Sequence, residues 1–455
     1  MFRSLQQSLL HWKDDTRRKP LILRGARQVG KTYAVTQFGQ EHFPNHFVAV
    51  DFEKRPDLHV IFQRNLEPQR IRSELEIAAR MPIIPGKTLL FLDEIQACPR
   101  ALMALRYFYE ELPELHLIAA GSLLEFALRD IAFPVGRVMF TSLYPLTFAE
   151  FLRALAETDL AELVLTMPTT ASDRLSDFVH EQLLQKLRLY FFVGGMPEAV
   201  ATYLQTGSLR DAMRVHADLV YSYRQDFATY APRANKLALD QVFRGVATQG
   251  GRQIKYTNLS RDFTIPTIKK NMELLVWARI LSIVQSARPE GLPLGATATM
   301  KRFKTILVDL GLMNHLCGMP MDTPGVSGSL LSLYKGALAE QFVGQELLAA
   351  QDGELYYWSR AEKSSQAEVD FLIVREGDIF PVEVKSGPAG RLRSLHLFFT
   401  TYPQCLKGFV LSEAPFSVLR EQKMVFLPLY YAYAVGSRGV LSATVASPSV
   451  KDVGE

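Results

Sequence analysis

Cysteine is scarce in this chain: Cys98, Cys317 and Cys405 are spread over 455 positions. Their spacing forms no CxxC pair and no disulfide framework, which suits a reducing compartment and excludes a small cross-linked secreted fold. The nine histidines do not gather around them, so no zinc-type ligand set emerges. Long apolar runs are also missing. Nothing approaches the ~20 residues that a membrane-spanning helix needs, and "LYYAYAVG" is far too short. The opening "MFRSLQQSLLHWKDD" lacks an apolar core and a small-residue cleavage site, so it reads as an amphipathic helix rather than a signal peptide. A cytoplasmic protein with no membrane contact is the expectation. Nor does one sign of charge dominate, since the net charge is +4. Its distribution says more. From Lys186 to Leu275 there are 13 Lys/Arg against 7 Asp/Glu, whereas Phe151 to Gln185 is acidic. A basic middle suits nucleic acid, and equally a solvated basic face.

What is present is an ordinary globular composition, 48% hydrophobic and 22% charged, long enough for several domains. Up to about residue 150, short apolar runs ("PLILRG", "HFVAVDFE", "TLLFLDE", "HLIAAGS") alternate with helix-like stretches such as "KTYAVTQFGQ". That alternation predicts a parallel sheet with crossover helices. The pattern is mostly helical from about 180 to 285. "KRFKTILVDLGLMNHL" then reads as a strand running into a helix, and "KGALAEQFVGQELLAA" as a helix ahead of a hairpin.

The strongest motif is "GARQVGKT", Gly25 to Thr32, which fits G-x-x-x-x-G-K-[ST] between a predicted strand and a predicted helix. Gly25 and Gly30 let the backbone turn its N–H groups inward, so that Ala26, Arg27, Gln28, Val29 and Tyr33 surround a phosphate chain at a helix N-terminus. Arg27 itself is expected to point outward. Lys31 is expected on the β- and γ-phosphates of ATP, and Thr32 on Mg²⁺. "TLLFLDEIQ" then supplies Asp93 to hold Mg²⁺ through water and Glu94 as the base that activates the attacking water. Ser122, ending "HLIAAGS", could reach the γ-phosphate or cap the next helix. Arg137, in "FPVGRV", reads as an arginine finger or as a plain surface arginine.

"YTNLSRDFTIPTIKKNMELLVWARIL" has the look of a helix-turn-helix: a short helix, "TIP" as the turn, and a second helix. Lys269 and Lys270 fall early on that second helix, with Ile268, Met272 and Leu275 on its apolar face. Such a module also serves as a plain protein-binding element.

In "EVDFLIVREGDIFPVEVKSG", a four-residue turn from Arg375 to Asp378 sets Val374 against Ile379 and therefore Asp370 against Glu383. Lys385 lies one step further on the same face. Two such carboxylates would repel unless a cation joined them, and Mg²⁺ prefers oxygen ligands. Glu340 in the preceding helix would add a further acid, and Lys385 could orient or deprotonate a water. This is a layout for metal-assisted phosphodiester hydrolysis, with an ordinary charged sheet face as the alternative.

Taken in order, "GARQVGKT", "LLFLDEIQ", "AAGSLLEF", "PVGRVMFTSLYPLTFAEFL", "YFFVGGMPEAV", "FKTILVDLGL", "KGALAEQFVGQEL" and "EVDFLIV…FPVEVKSG" resemble prokaryotic AAA-type ATPases. Those carry a C-terminal domain of unknown function ending in a PD-(D/E)XK nuclease-like fold. The resemblance implies an α/β protein with a P-loop ATPase domain (1–155), a linker or helical insertion (156–185), a helical or winged-helix region (186–325) and a restriction-endonuclease-like α/β domain (326–455). Carried over by position, Lys31, Thr32, Asp93 and Glu94 match the nucleotide motifs, and Glu340, Asp370, Glu383 and Lys385 the nuclease-like motif. The expectation is an Mg-dependent ATPase whose cycle controls a nucleic-acid-directed C-terminal domain. ATP and DNA or another nucleic acid would be its partners, and a homo-oligomer is compatible with this. The alternative is a nucleotide-switched regulator whose nuclease-like domain is not catalytic. No second arginine sensor is evident.

Overall fold

Five short strands near the N-terminus pair wholly in parallel: β1 (Leu21–Arg24), β2 (Phe47–Asp51), β3 (Leu89–Asp93), β4 (His116–Gly121) and β5 (Met139–Ser142), in the order β2-β3-β4-β1-β5. In this computed structural model, residues 1–128, 136–230, 234–319, 332–351, 353–362, 365–385 and 392–437 are described. Every residue of β3 and β4 is buried, as a sheet covered on both faces requires. Alternation divides the side chains: Leu89 and Phe91 join one core, Leu90 and Leu92 the other. The second core is closed by helix Pro99–Glu111 through Leu102, Leu105 and Phe108, each fully buried and each worth about 1.5–3 kcal/mol in burial. The fifth strand carries no strong sequence signal because β5 is an edge strand with mostly half-buried residues.

The acidic stretch after residue 155 contains a helix, Thr158–Leu165, and a short 3₁₀ turn, Ala171–Asp173. Long helices follow, among them Asp177–Val193 and Leu209–Tyr230. Helices Lys236–Thr248, Tyr256–Leu259 and Ile265–Trp277 then lead into an antiparallel pair, β6 (Leu281–Ser286) and β7 (Thr299–Leu307), with Ile254 bridged to Phe303. Three helices are thus followed by a two-stranded antiparallel wing. The expected "TIP" turn is instead the first turn of helix Ile265–Trp277, which has Pro266 near its start. Proline's fixed φ suits that place, and its missing N–H costs nothing there.

The wing does not end its own domain. β6 pairs in parallel with β8 (Leu355–Glu362), so β6 and β7 extend a sheet with β9 (Ser365–Arg375), β10 (Asp378–Val384), β11 (Gly408–Ser412), β12 (Ser417–Leu419) and β13 (Met424–Pro428). The order is β12-β13-β11-β10-β9-β8-β6-β7. A boundary near residue 326 therefore separates the chain in sequence but not the sheet in space. One apolar core runs from Leu21 and Phe148 through Tyr190 and Phe342 to Val435, so the N-terminal and C-terminal parts are packed together.

The hairpin has the register that its turn dictates. Asp378 pairs with Arg375, Ile379 with Val374 and Val382 with Phe371. Glu376 and Gly377 both have positive φ, 51° and 88°, as a tight two-residue hairpin turn demands.

Candidate nucleotide site and carboxylate cluster

The phosphate loop joins β1 to helix Lys31–His42. Gly30 has φ +93°, where a side chain is strained, and a Cβ at Gly25 would stand 2.3 Å from Leu143 O. Gln28 also takes positive φ, 65°, while Ala26 and Val29 are buried. Lys31 is buried at the helix start, and its Nζ donates to Gly25 O (3.0 Å) and Ala26 O (2.8 Å). Burial lowers its pKa to about 8, against the pull of Glu94 and Asp93. Thr32 Oγ1 donates to Asp93 Oδ2 at 2.7 Å. Asp93 ends β3 and is raised above the usual carboxylate range by burial, a shift that the Thr32 bond opposes. Tyr33 is exposed and its hydroxyl accepts from the N-terminal amine at 3.2 Å.

Glu94 follows with φ 47°, and Glu94 Oε2 accepts from Gln96 Nε2 at 2.6 Å. Gln96 is a site residue that sequence reasoning passed over, although it lies inside the quoted "TLLFLDEIQ". Its Oε1 is buried without a hydrogen-bond partner, and a Cβ at Gly121 would come within 2.3 Å of it. Gly121 is level with Arg24 in the sheet, so the buried Ser122 stands at the edge from which the phosphate loop springs. The paired oxygens of Thr32 and Asp93 are hard donors in one place and fit Mg²⁺. They would hold it, and the ion would neutralise phosphate charge.

Arg137 is not at this edge. It precedes β5, whose Met139 is level with Leu21 and whose Ser142 is level with Arg24. It therefore lies at the opposite end of the strands, exposed, with Nε donating to Glu110 Oε1 at 3.0 Å. An arginine finger acting on this chain's own site is excluded by that placement.

Other cations grip the loop instead. Buried Arg3 donates to Val29 O (2.8 Å) and to Glu150 (3.2 Å). Arg27 does point away from the loop's interior and pairs with Asp226 of helix Leu209–Tyr230 at 3.0 Å, while Tyr223 of that helix donates to Arg27 O at 3.0 Å. Arg279, just past helix Ile265–Trp277, has φ 59° and reaches Glu125 at 2.8 Å and Ser142 Oγ at 3.5 Å. It also lines a small cavity shared with Gly25 and Ala26. Pairwise contacts of this kind, made between segments far apart in sequence, leave no local signal.

On helix Ile265–Trp277, Ile268, Met272 and Leu275 are buried as their spacing requires. Lys269 and Lys270 are exposed, together with Arg252, Lys255 and Arg261. Lys269 Nζ lies 5.1 Å from the centre of the Tyr256 ring.

The hairpin carboxylates belong to a larger cluster. Glu340, Glu368 and Asp370 can bring oxygens within 4.8 Å of one another. Wholly buried Lys304 of β7 sits among them, 2.5 Å from Glu340, 2.5 Å from Glu368 and 3.1 Å from Asp370. Burial works against its charge, but Glu340, Asp370 and Glu368 outweigh burial and raise its pKa well above the usual lysine range. Lys385 Nζ donates to Glu383 Oε1 at 2.6 Å. Burial, reinforced by Asp370, lifts Glu383 to about 7 despite that lysine. The ladder pairs run to Val382–Phe371, one step short of Glu383 and Asp370, and Asp370 Oδ2 accepts from Val384 N at 2.9 Å. Glu368 and Lys304 were missed in sequence. Glu368 shares Asp370's face two residues earlier, and Lys304 is one of three basic residues in the strand TMKRFKTIL. As a divalent-metal site the set fits poorly, because an ammonium already stands among the oxygens.

Three family models match this chain: one described as an AAA domain over residues 17–152, and two domains of unknown function, DUF8612 over 184–323 and DUF4143 over 335–431. An uncharacterized protein of Methanocaldococcus jannaschii is 27% identical over 178 residues, a match that spans 39% of this chain and only 35% of that relative. Among solved structures, a Walker-type ATPase of Pyrococcus abyssi matches with 17% identity and a TM-score of 0.42, covering 69% of this chain and 95% of that one. The ORC1 protein of Aeropyrum pernix in complex with DNA matches with 15% identity and a TM-score of 0.25, covering 70% and 91%. Scores that low bear on neither fold nor function. No helix of the described residues is long and apolar enough to cross a membrane. The AAA-domain match, together with the complete phosphate loop and its Thr32–Asp93 pair, supports a P-loop ATPase domain at the N-terminus.

Proposed function

We propose that this protein binds and hydrolyses ATP with Mg²⁺, and that its nucleotide cycle sets the posture of a nucleic-acid-directed C-terminal half. The observation that carries the proposal is the grip of the central region on the phosphate loop. Asp226 holds Arg27, and Arg279 reaches Glu125 beside the site. Lys31 binds the β- and γ-phosphates, Thr32 and Asp93 hold the ion, Glu94 activates water, and Ser122 senses the γ-phosphate. Phosphates arriving at the loop shift the backbone that Arg27 and Arg279 tie to its neighbours. The exposed basic residues of the winged helix, Lys269 and Lys270 foremost, would meet a nucleic-acid backbone.

The test is the ATPase rate with and without duplex DNA, in the wild type and in a Lys269→Glu, Lys270→Glu variant. Stimulation by DNA is expected in the first and its loss in the second. The variant's DNA affinity should also depend less on salt, with the slope of log K against log salt smaller by roughly one to two. No stimulation and no DNA binding by the wild type would remove the nucleic-acid part and leave the ATPase. The same assay over a range of protein concentrations tests a homo-oligomer. Between a cutting and a non-catalytic C-terminal domain, the lysine among the carboxylates favours the second.

A further inference from the structure

Carboxylates as close as those of Glu340, Glu368 and Asp370, all half-buried, repel one another, and a cation between them relieves that repulsion. The fold supplies one. An ammonium has three N–H donors and no acceptor. Lys304 Nζ, fully buried, meets one carboxylate oxygen from each of the three residues at 2.5, 2.5 and 3.1 Å. Other oxygens of the centre are also engaged. Glu368 Oε2 accepts from Gln253 Nε2 at 2.5 Å, Asp370 Oδ2 from Val384 N at 2.9 Å, and Glu383 Oε1 from Lys385 at 2.6 Å. Gly251 closes over Glu340, where a Cβ would stand 2.6 Å from Oε2. Glu383 Oε2, buried and without a hydrogen-bond partner, would suit a metal. One donor on a group already paired with a lysine does not make the coordination shell of a hard dication, which takes about six oxygens. A dication at Glu340 and Asp370 would also have to displace, or lie beside, the buried ammonium.

We infer that Lys304 is the resident cation of this centre, so that the C-terminal domain holds no divalent metal there and performs no metal-assisted phosphodiester hydrolysis. The cluster is instead a clasp. Lys304 comes from β7, Gln253 from the segment before helix Tyr256–Leu259, and the carboxylates from helix Ser332–Gln351 and from β9. What the clasp joins is two non-adjacent strands of the large sheet, β7 and β9, the helix that packs on them, and Gln253 of the helical region. This holds whether or not the chain hydrolyses ATP.

The experiment counts bound Mn²⁺ by electron paramagnetic resonance on the full nucleotide-free chain, comparing wild type, Asp370→Asn and Lys304→Met. Wild type and Asp370→Asn should bind the same number of ions. Lys304→Met should gain one ion, lost again when Asp370→Asn is added. Plasmid nicking in Mg²⁺ or Mn²⁺ should be absent in the wild type. An ion bound by the wild type and lost in Asp370→Asn overturns the inference, as does nicking lost in the same variant. A Lys304→Met chain with wild-type circular dichroism and no gained ion overturns the role given to Lys304. Should Lys304→Met fail to fold, the comparison of wild type with Asp370→Asn still decides.

Discussion

At the residue scale, Lys31 is the most exacting position. Its folded pKa of about 8 lies below the free lysine value because burial disfavours the ammonium. The phosphate chain needs the protonated form, so ATP affinity should be flat below pH 8 and fall by up to about tenfold per unit above it. Fluorescent-nucleotide titrations between pH 7 and 9.5 check this, and Lys31→Arg should flatten the profile because a guanidinium stays charged. Lys31→Ala should abolish turnover, by at least about a hundredfold. Arg137→Ala should leave turnover within about twofold, since its partner is the exposed Glu110 at the far edge of the sheet. A large loss there in a steady-state ATPase assay would mean that Arg137 reaches another chain's site. The motif residues were legible because each is fixed by its neighbours in sequence. Gln96, Asp226 and Arg279 were not, because their roles depend on partners that only folding brings close.

At the scale of elements, the hairpin shows how far periodicity reaches. A turn at Glu376 and Gly377 fixes Val374 against Ile379, and every later pairing follows by counting. The same counting could not show that β7 delivers Lys304 to that face, because β7 arrives through β6 and β8. Helix Ser332–Gln351 also carries a buried acid, Glu346, which accepts from Phe148 N at 2.9 Å. Burial raises its pKa to about 8, an effect that the Phe148 bond reduces. Its folded pKa lies above the unfolded value, so the unfolded chain gives up the proton first. The contribution of Glu346 to stability is full below pH 4.5 and is lost as pH rises toward 8. Glu346→Gln keeps an acceptor for Phe148 and cannot ionise. It should match wild type near pH 4.5 and raise Tm by about 1 °C per kcal/mol gained at pH 8, as thermal melts at the two pH values would show.

For the whole molecule, the decisive feature is continuity. The core that begins at Leu21 in the ATPase sheet continues through Tyr190 and Phe342 to Val435. Asp226 meets the phosphate loop from a helix about two hundred residues away in sequence, through Arg27. If this pair transmits the nucleotide state, Asp226→Ala should still bind ATP with near wild-type affinity and hydrolyse it at the basal rate. It should lose most of any stimulation by DNA. Rates measured with and without duplex separate the outcomes, and full stimulation in Asp226→Ala would rule the pair out as the link.

The sequence by itself determined the parts whose causes are local. These are the parallel sheet from its buried runs, the phosphate loop from its glycines and lysine, the apolar face of helix Ile265–Trp277, and the register of the hairpin. Tertiary structure alone decided which charges meet. It sent Arg137 to the wrong edge for a finger, brought Asp226 and Arg279 to the nucleotide site, and set Lys304 where a metal was expected. The physical reason is that backbone periodicity acts over a few residues. A buried ion pair is made between residues of any separation, and is fixed only when the core closes around it.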